Sequence, residues 1–149
     1  LPRCLDLLER ANPGGVLGLQ HRLRGVQARN PKDLAIGISD GLWAADVRSL
    51  SLKALATAGH HSLFLHVLGR AEMEPRLEHG QWVVDSESGV SHQIRWDSVA
   101  QRTYQSHLKD WCAQLAKDCS RLGIGYVPCW THIPILDVLS QRKVAGGAR

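Results

Sequence analysis

Leu34-Ala35-Ile36-Gly37-Ile38-Ser39-Asp40-Gly41 is a short apolar run that stops abruptly at a carboxylate and a glycine. Without polar alternation and with turn residues on both sides, it reads as a strand buried on both faces, the kind a parallel α/β sheet requires. A buried helix segment is the competing reading, but Asn30-Pro31 before the run and Asp40-Gly41 after it leave too little room. Open α/β sheets bind ligands just beyond the carboxyl ends of their strands, where Asp40 falls. Asp40 is therefore the first candidate site residue.

Working downstream, Asp46 to Ala58 carries a helical stripe of Val47, Leu50, Ala54, Leu55 and Ala58, with Gly59 as its stop. A second apolar strand follows at 62–68, and the crossover through the helix makes it parallel to the first. His66 lies inside it and reads as a satisfied core histidine rather than a ligand. The pattern then changes to a β-hairpin over 81–96, with Gly89 suited to the positive φ of its turn. Asp97 or Ser98 caps a long helix over 97–122, whose buried face is Tyr104, Leu108, Trp111, Leu115, Cys119 and Leu122; Gly123 ends it. The third strand, 125–130, contains Pro128, which cannot donate to a ladder and places the strand at a sheet edge. Thr131 is the expected cap of a last helix from Ile133 to Arg142, Pro134 being tolerated in its first turn, with a frayed tail from Val144 to Arg149.

Upstream of the opening run, Leu1 to Arg10 suggests a short helix ended by Asn12-Pro13-Gly14-Gly15. A second helical pattern places Leu19, Leu23 and Val26 on one face. Two helices ahead of the first strand are an unusual start for an α/β domain.

At 149 residues and 44% hydrophobic content, the chain suffices for one domain with a substantial core. No apolar run approaches the roughly 20 residues that span a bilayer, so no membrane segment is expected. The net charge is +4, but Lys and Arg are interleaved with acids, which favours a solvated surface over nucleic-acid binding. Cys4, Cys112, Cys119 and Cys129 form no Cys-x-x-Cys pair and read as small buried hydrophobes in a reducing, cytoplasmic setting. Gly14-Gly15 could cradle an anion at a helix start, but there is no Walker or Gly-x-Gly-x-x-Gly pattern and a turn is the plainer reading. The eight histidines show no His-x-x-x-His or His-Glu-x-x-His spacing, His60-His61 reads as a solvent-facing loop, and no Gly-x-Ser-x-Gly elbow occurs. Trp43, just after Asp40-Gly41, is either a contact anchor or packing beneath the loop.

Taken in order, several motifs resemble the carboxyl-terminal part of the bacterial DUF58 family, whose domain is similar to the von Willebrand factor A fold. They are Gly14-Gly15 at a helix start, Leu34 to Gly41 ending in Ser-Asp-Gly, and Leu63 to Leu68 followed by Glu72. Gly80, Val83-Val84-Asp85, Glu87-Ser88-Gly89, the helix carrying Tyr104, and Gly123-Ile124-Gly125-Tyr126 leading to Thr131 continue the series. The resemblance implies a partial, Rossmann-type three-layer α/β domain over 1–149, with three parallel strands flanked by helices and an inserted hairpin. In the strand order 3-2-1-4-5-6 these would be the fourth to sixth strands. It also implies a degenerate metal-ion-dependent adhesion site. Asp40 matches the aspartate after the fourth strand, Val16 stands where a threonine would be, and the Asp-x-Ser-x-Ser loop has no counterpart in this chain. No cofactor is expected in the chain alone, and Mg²⁺ only where an upstream Asp-x-Ser-x-Ser loop completes the site, since one carboxylate cannot hold a hard cation.

The expected function is a non-catalytic protein-interaction module. Its implied partner is a MoxR-type AAA+ ATPase engaged in assembly or maturation of a complex, with Ser39, Asp40, Gly41, Trp43, Gly14 and Gly15 at the contact. A metal- or phosphate-dependent hydrolase using Asp40, or an inactive truncated fragment, is the alternative. The Leu34 strand would lack its inner neighbour, so the chain is expected to be a fragment, a cropped domain, or one that pairs with another polypeptide.

Overall fold

A computed structural model describes residues 9–10, 33–85 and 89–145. The two helical patterns expected before the first strand, apart from residues 9–10, lie outside the described residues, as do Gly14, Gly15, Val16, residues 86–88 and residues 146–149.

The elements are β1 (Leu34–Ser39), α1 (Ala45–Ala58), β2 (His61–Leu68), α2 (Arg70–Met73), β3 (Trp82–Val84), β4 (Ser91–Gln93), α3 (Ser98–Arg121), β5 (Ile124–Trp130) and α4 (Ile135–Ala145). β1, β2 and β5 form a parallel sheet in the order β1-β2-β5, flanked by helices in a Rossmann-like layout. Leu34 pairs with His61 and Ser62 with Ile124 to start the two ladders. β5 is an edge strand, as Pro128 requires. β3 and β4 form a separate antiparallel ribbon, Trp82 opposite Gln93, with Gly89 at φ +71°.

The main core cluster lies on one face of the sheet, while Val127 and Cys129 of β5 are buried on the other. Leu52 and Leu55 from α1, Leu115 and Cys119 from α3, Phe64 from β2 and Ile124 from β5 are buried together, with Ala35, Trp43, Trp111 and Tyr126 packed against them. The parity matches the sequence: Phe64, His66 and Leu68 turn inward while Leu63, Leu65 and Val67 turn to the opposite face. The long helix presents the expected stripe, most deeply at Leu115 and Cys119. Asp97 caps it by accepting from the Val99 and Ala100 N–H groups at 3.0 and 2.9 Å. Gly123, at φ +70°, follows its last turn.

Three expectations are revised. The α1 stripe is Ser51, Leu52, Leu55 and Ala58, whereas Leu50 is 55% exposed. Leu55 and Ala58 lie in the stripe as expected, but its other buried members are Ser51 and Leu52, which leaves Leu50 on the exposed side of the helix. The last helix begins at Ile135 rather than Ile133, because the Thr131 N–H donates to Leu68 O and ties the chain to the end of β2. It extends to Ala145, beyond Arg142. Finally, β1 is not buried on both faces. Leu34, Ile36 and Ile38 are 56, 51 and 68% exposed, since the core layer covers the opposite, small-residue face of Ala35 and Gly37.

Gly37 lets α1 lie close to that face. A Cβ there would stand 2.9 Å from Leu55 Cδ2 and 3.3 Å from Phe64 Cδ2. A further tie between helices is the Arg48 Nε–Asp118 Oδ2 pair at 3.3 Å, joining α1 to α3, with both side chains about four-fifths covered.

Candidate functional site

The carboxyl end of β1 folds into a tight turn built from its own side chains. Asp40 Oδ1 accepts the Leu42 N–H at 3.2 Å and the Ser39 hydroxyl at 3.3 Å, while Ser39 Oγ accepts the Gly41 N–H at 3.1 Å. The Trp43 N–H returns to Gly41 O at 2.7 Å. An aspartate whose carboxylate bonds the backbone two residues on is a turn former, a role short polar side chains take readily. Gly41 has φ +69° and is buried over Leu115, His66 and Phe64. The sequence-predicted residues Ser39, Asp40, Gly41 and Trp43 are thus one loop, with Asp40 on its exposed side.

Trp43 is half-buried, its ring 5.6 Å from that of Phe64 at 50°, so it packs beneath the loop. Leu42, which the sequence did not single out, is 64% exposed and is the loop's outward apolar side chain. Nothing in the local pattern distinguishes the two positions, because orientation in a loop depends on its turn geometry.

Beneath the loop lies His66, fully buried. Its Nε2 is 2.8 Å from Asp40 O and its Nδ1 2.7 Å from the Tyr126 hydroxyl. The ring stands edge-on to Trp111 with centroids 4.9 Å apart. His66 is therefore a satisfied core histidine that bonds directly to the loop.

Burial is the largest influence on the imidazole and lowers its pKa from the ordinary 6.5. The Asp40 carbonyl and the charges of Asp40 and Glu72 act upward and are outweighed. As pH falls through 6.5 the unfolded chain takes up the proton first, so stability declines from there down to the folded pKa, where this loss is complete. Urea midpoints measured from about pH 8 to about pH 5 should fall with acid, and His66→Gln should flatten that slope.

The fit to a divalent cation is poor. Asp40 and Ser39 offer few oxygens, of which Asp40 Oδ1 and Ser39 Oγ already accept backbone N–H groups, whereas Mg²⁺ takes six. Among the described residues no group of three or more His, Cys, Asp or Glu converges. Nor is there an activated thiol among the described cysteines: burial raises Cys112 and Cys129 and pushes Cys119 up to about 11.

Around Glu72, which sequence placed only within a longer motif, a second small anchor forms. The Gly69 N–H donates to Glu72 Oε2 at 2.5 Å and the Tyr104 hydroxyl to Glu72 O at 2.5 Å, pinning α2 to α3. A groove of about 410 Å³ opens beside it, lined by Leu68, Met73, Leu108, Cys112 and Trp130 among others. Asp40 and Trp43 are not in its lining.

No helix among the described residues is long and apolar enough to cross a membrane. Comparison of the chain with protein-family models, curated proteins and solved structures gives no match.

Proposed function

We propose that the chain is a non-catalytic protein-interaction module whose contact surface is the Ser39–Trp43 loop together with the outward face of β1. The supporting observation is the apolar row Leu34, Ile36 and Ile38, more than half exposed and leading along the strand to exposed Leu42. The His61 N–H bonds Asp33 O, so the alternation of a parallel ladder turns the backbone groups of Leu34, Ile36 and Ile38 to the outer edge. No strand pairs with that edge among the described residues. A continuous apolar edge without charge or proline is a place where another polypeptide adds. Asp40 shapes the loop in this reading rather than holding a metal.

The partner that the DUF58 resemblance suggests is a MoxR-type AAA+ ATPase. With such an ATPase purified and immobilised, Leu42→Asp and Asp40→Ala should each weaken capture about tenfold, the effect of losing one well-packed contact. Unaltered capture by both variants would remove the loop from the surface, and no capture by the unsubstituted chain would remove this partner. Titration calorimetry with Mg²⁺ on the chain alone should give no binding heat; saturable binding would favour the metal-dependent hydrolase reading instead.

A further inference from the structure

Two hydrogen bonds run in series from β5 to the loop through His66. A main-chain carbonyl only accepts hydrogen bonds, so the 2.8 Å contact between His66 Nε2 and Asp40 O requires the proton on Nε2. In the neutral ring Nδ1 is then a bare acceptor, and the donor it meets at 2.7 Å is the Tyr126 hydroxyl. The direction of the whole series is thereby fixed: Tyr126 O–H donates to Nδ1, and Nε2–H donates to Asp40 O. No solvent reaches the ring to supply a substitute partner. Phe64 stacks beside it at 6.1 Å and Trp111 meets its edge, so a rotated imidazole would place carbon against both partners.

We propose that His66 is a positioning residue for the Asp40–Trp43 loop, its Nε2–H tautomer fixed by Asp40 O and its ring held in place by the Tyr126 hydroxyl, so that a side chain on β5 helps to seat the loop beyond β1. The proposal builds on the reading of that loop as a contact surface, but its own observables are the tautomer and the loop's hydrogen bonding. Tyr126 belongs to the opposite edge strand from β1, with β2 between them. A partner or strand displacement acting at β5 would therefore be felt at Asp40 through a single buried imidazole. The groups that face the ring from neighbouring elements are Tyr126 on β5, Trp111 on α3 and Asp40 in the loop, with Glu72 acting from α2 through its charge.

The test uses the full 149-residue chain labelled with ¹⁵N. Two-bond proton–nitrogen spectra at neutral pH should show His66 with Nε2 protonated and Nδ1 bare; an Nδ1–H tautomer or an averaged pair overturns the proposal. Amide hydrogen exchange at Gly41, Leu42 and Trp43 then separates the two bonds. His66→Gln keeps a donor near the Nε2 position and should leave these amides protected. His66→Asn keeps only the group near Nδ1 and should speed their exchange about fivefold to tenfold, as expected for one lost hydrogen bond. Tyr126→Phe, which removes only an oxygen, should leave Nε2 protonated, since Asp40 O still demands a donor, but loosen the ring and speed loop exchange while β2–β5 amides remain protected. Equal exchange in the Gln and Asn variants, or a Tyr126→Phe chain with unchanged loop exchange, overturns the relay. Partner capture is read separately: its failure with an intact loop response dismisses the contact-surface reading and leaves the relay standing.

Discussion

Phe64→Ala should lower the unfolding free energy by about 3–5 kcal/mol, the range for truncating a fully buried aromatic. Phe64 is 0% exposed within the main core cluster, among Leu52, Leu55, Leu115, Cys119 and Ile124. Its neighbours cannot easily move in to fill the space. On one side is the backbone of β1 at Gly37, which has no side chain to extend, and on the others are the rings of Trp43 and His66. A site that cannot collapse keeps its cavity, which places the cost toward the upper end. The tilted ring contact with Trp43 adds to the loss. Chemical denaturation followed by far-ultraviolet circular dichroism measures it, with Phe64→Leu as the companion variant at about 1 kcal/mol. A cost below about 1 kcal/mol for the alanine variant would mean that α1, α3 and the sheet do not share one core.

Gly41→Ala is the second large effect, about 2–3 kcal/mol, and it has two separable causes. At φ +69° a side chain is strained wherever it stands, by about 1–2 kcal/mol. In addition, the new Cβ would lie 2.9 Å from Leu115 Cδ2. That methyl is the end of a side chain and can turn, but Leu115 is 0% exposed and must displace neighbours to do so. Leu115→Ala removes the overlap and leaves the backbone strain. Adding Gly41→Ala to a Leu115→Ala chain should therefore cost less than adding it to the parent, a coupling of about 1 kcal/mol in a double-mutant cycle. Strict additivity would show that the turn, not its contact with α3, is what demands glycine.

The sheet was legible because its signals are local. Continuous apolar runs bounded by Asp40-Gly41, by Gly59 and Gly69, and by Gly123 mark three strands, and Pro128 marks one edge. The capping of α3 by Asp97 and the positive φ of Gly89 follow from side-chain chemistry at single positions. What a single chain position does not carry is which of two neighbouring apolar residues, one or two positions apart, turns inward. Leu50 against Leu52, and Leu42 against Trp43, were settled by how α1 and the loop seat on the sheet. β1 was read as buried on both faces because its apolar content is the same whether one layer covers it or two. His66 shows a further limit: its placement in a strand was readable, but its bonds to Asp40 and Tyr126 span 26 and 60 residues.

The uncharged edge of β1 has a consequence for how any association through it responds to conditions. Between Leu34 and Ser39 there is no ionisable side chain. Contact made there draws on apolar burial and backbone hydrogen bonds, so it should persist as salt rises past the level that screens the chain's +4 charge. Sulfate should strengthen it by being excluded from apolar surface, and cooling should loosen it. An adhesion driven by the basic surface would show the reverse dependence on salt, so ionic strength and temperature together would report which part of the molecule holds a captured protein.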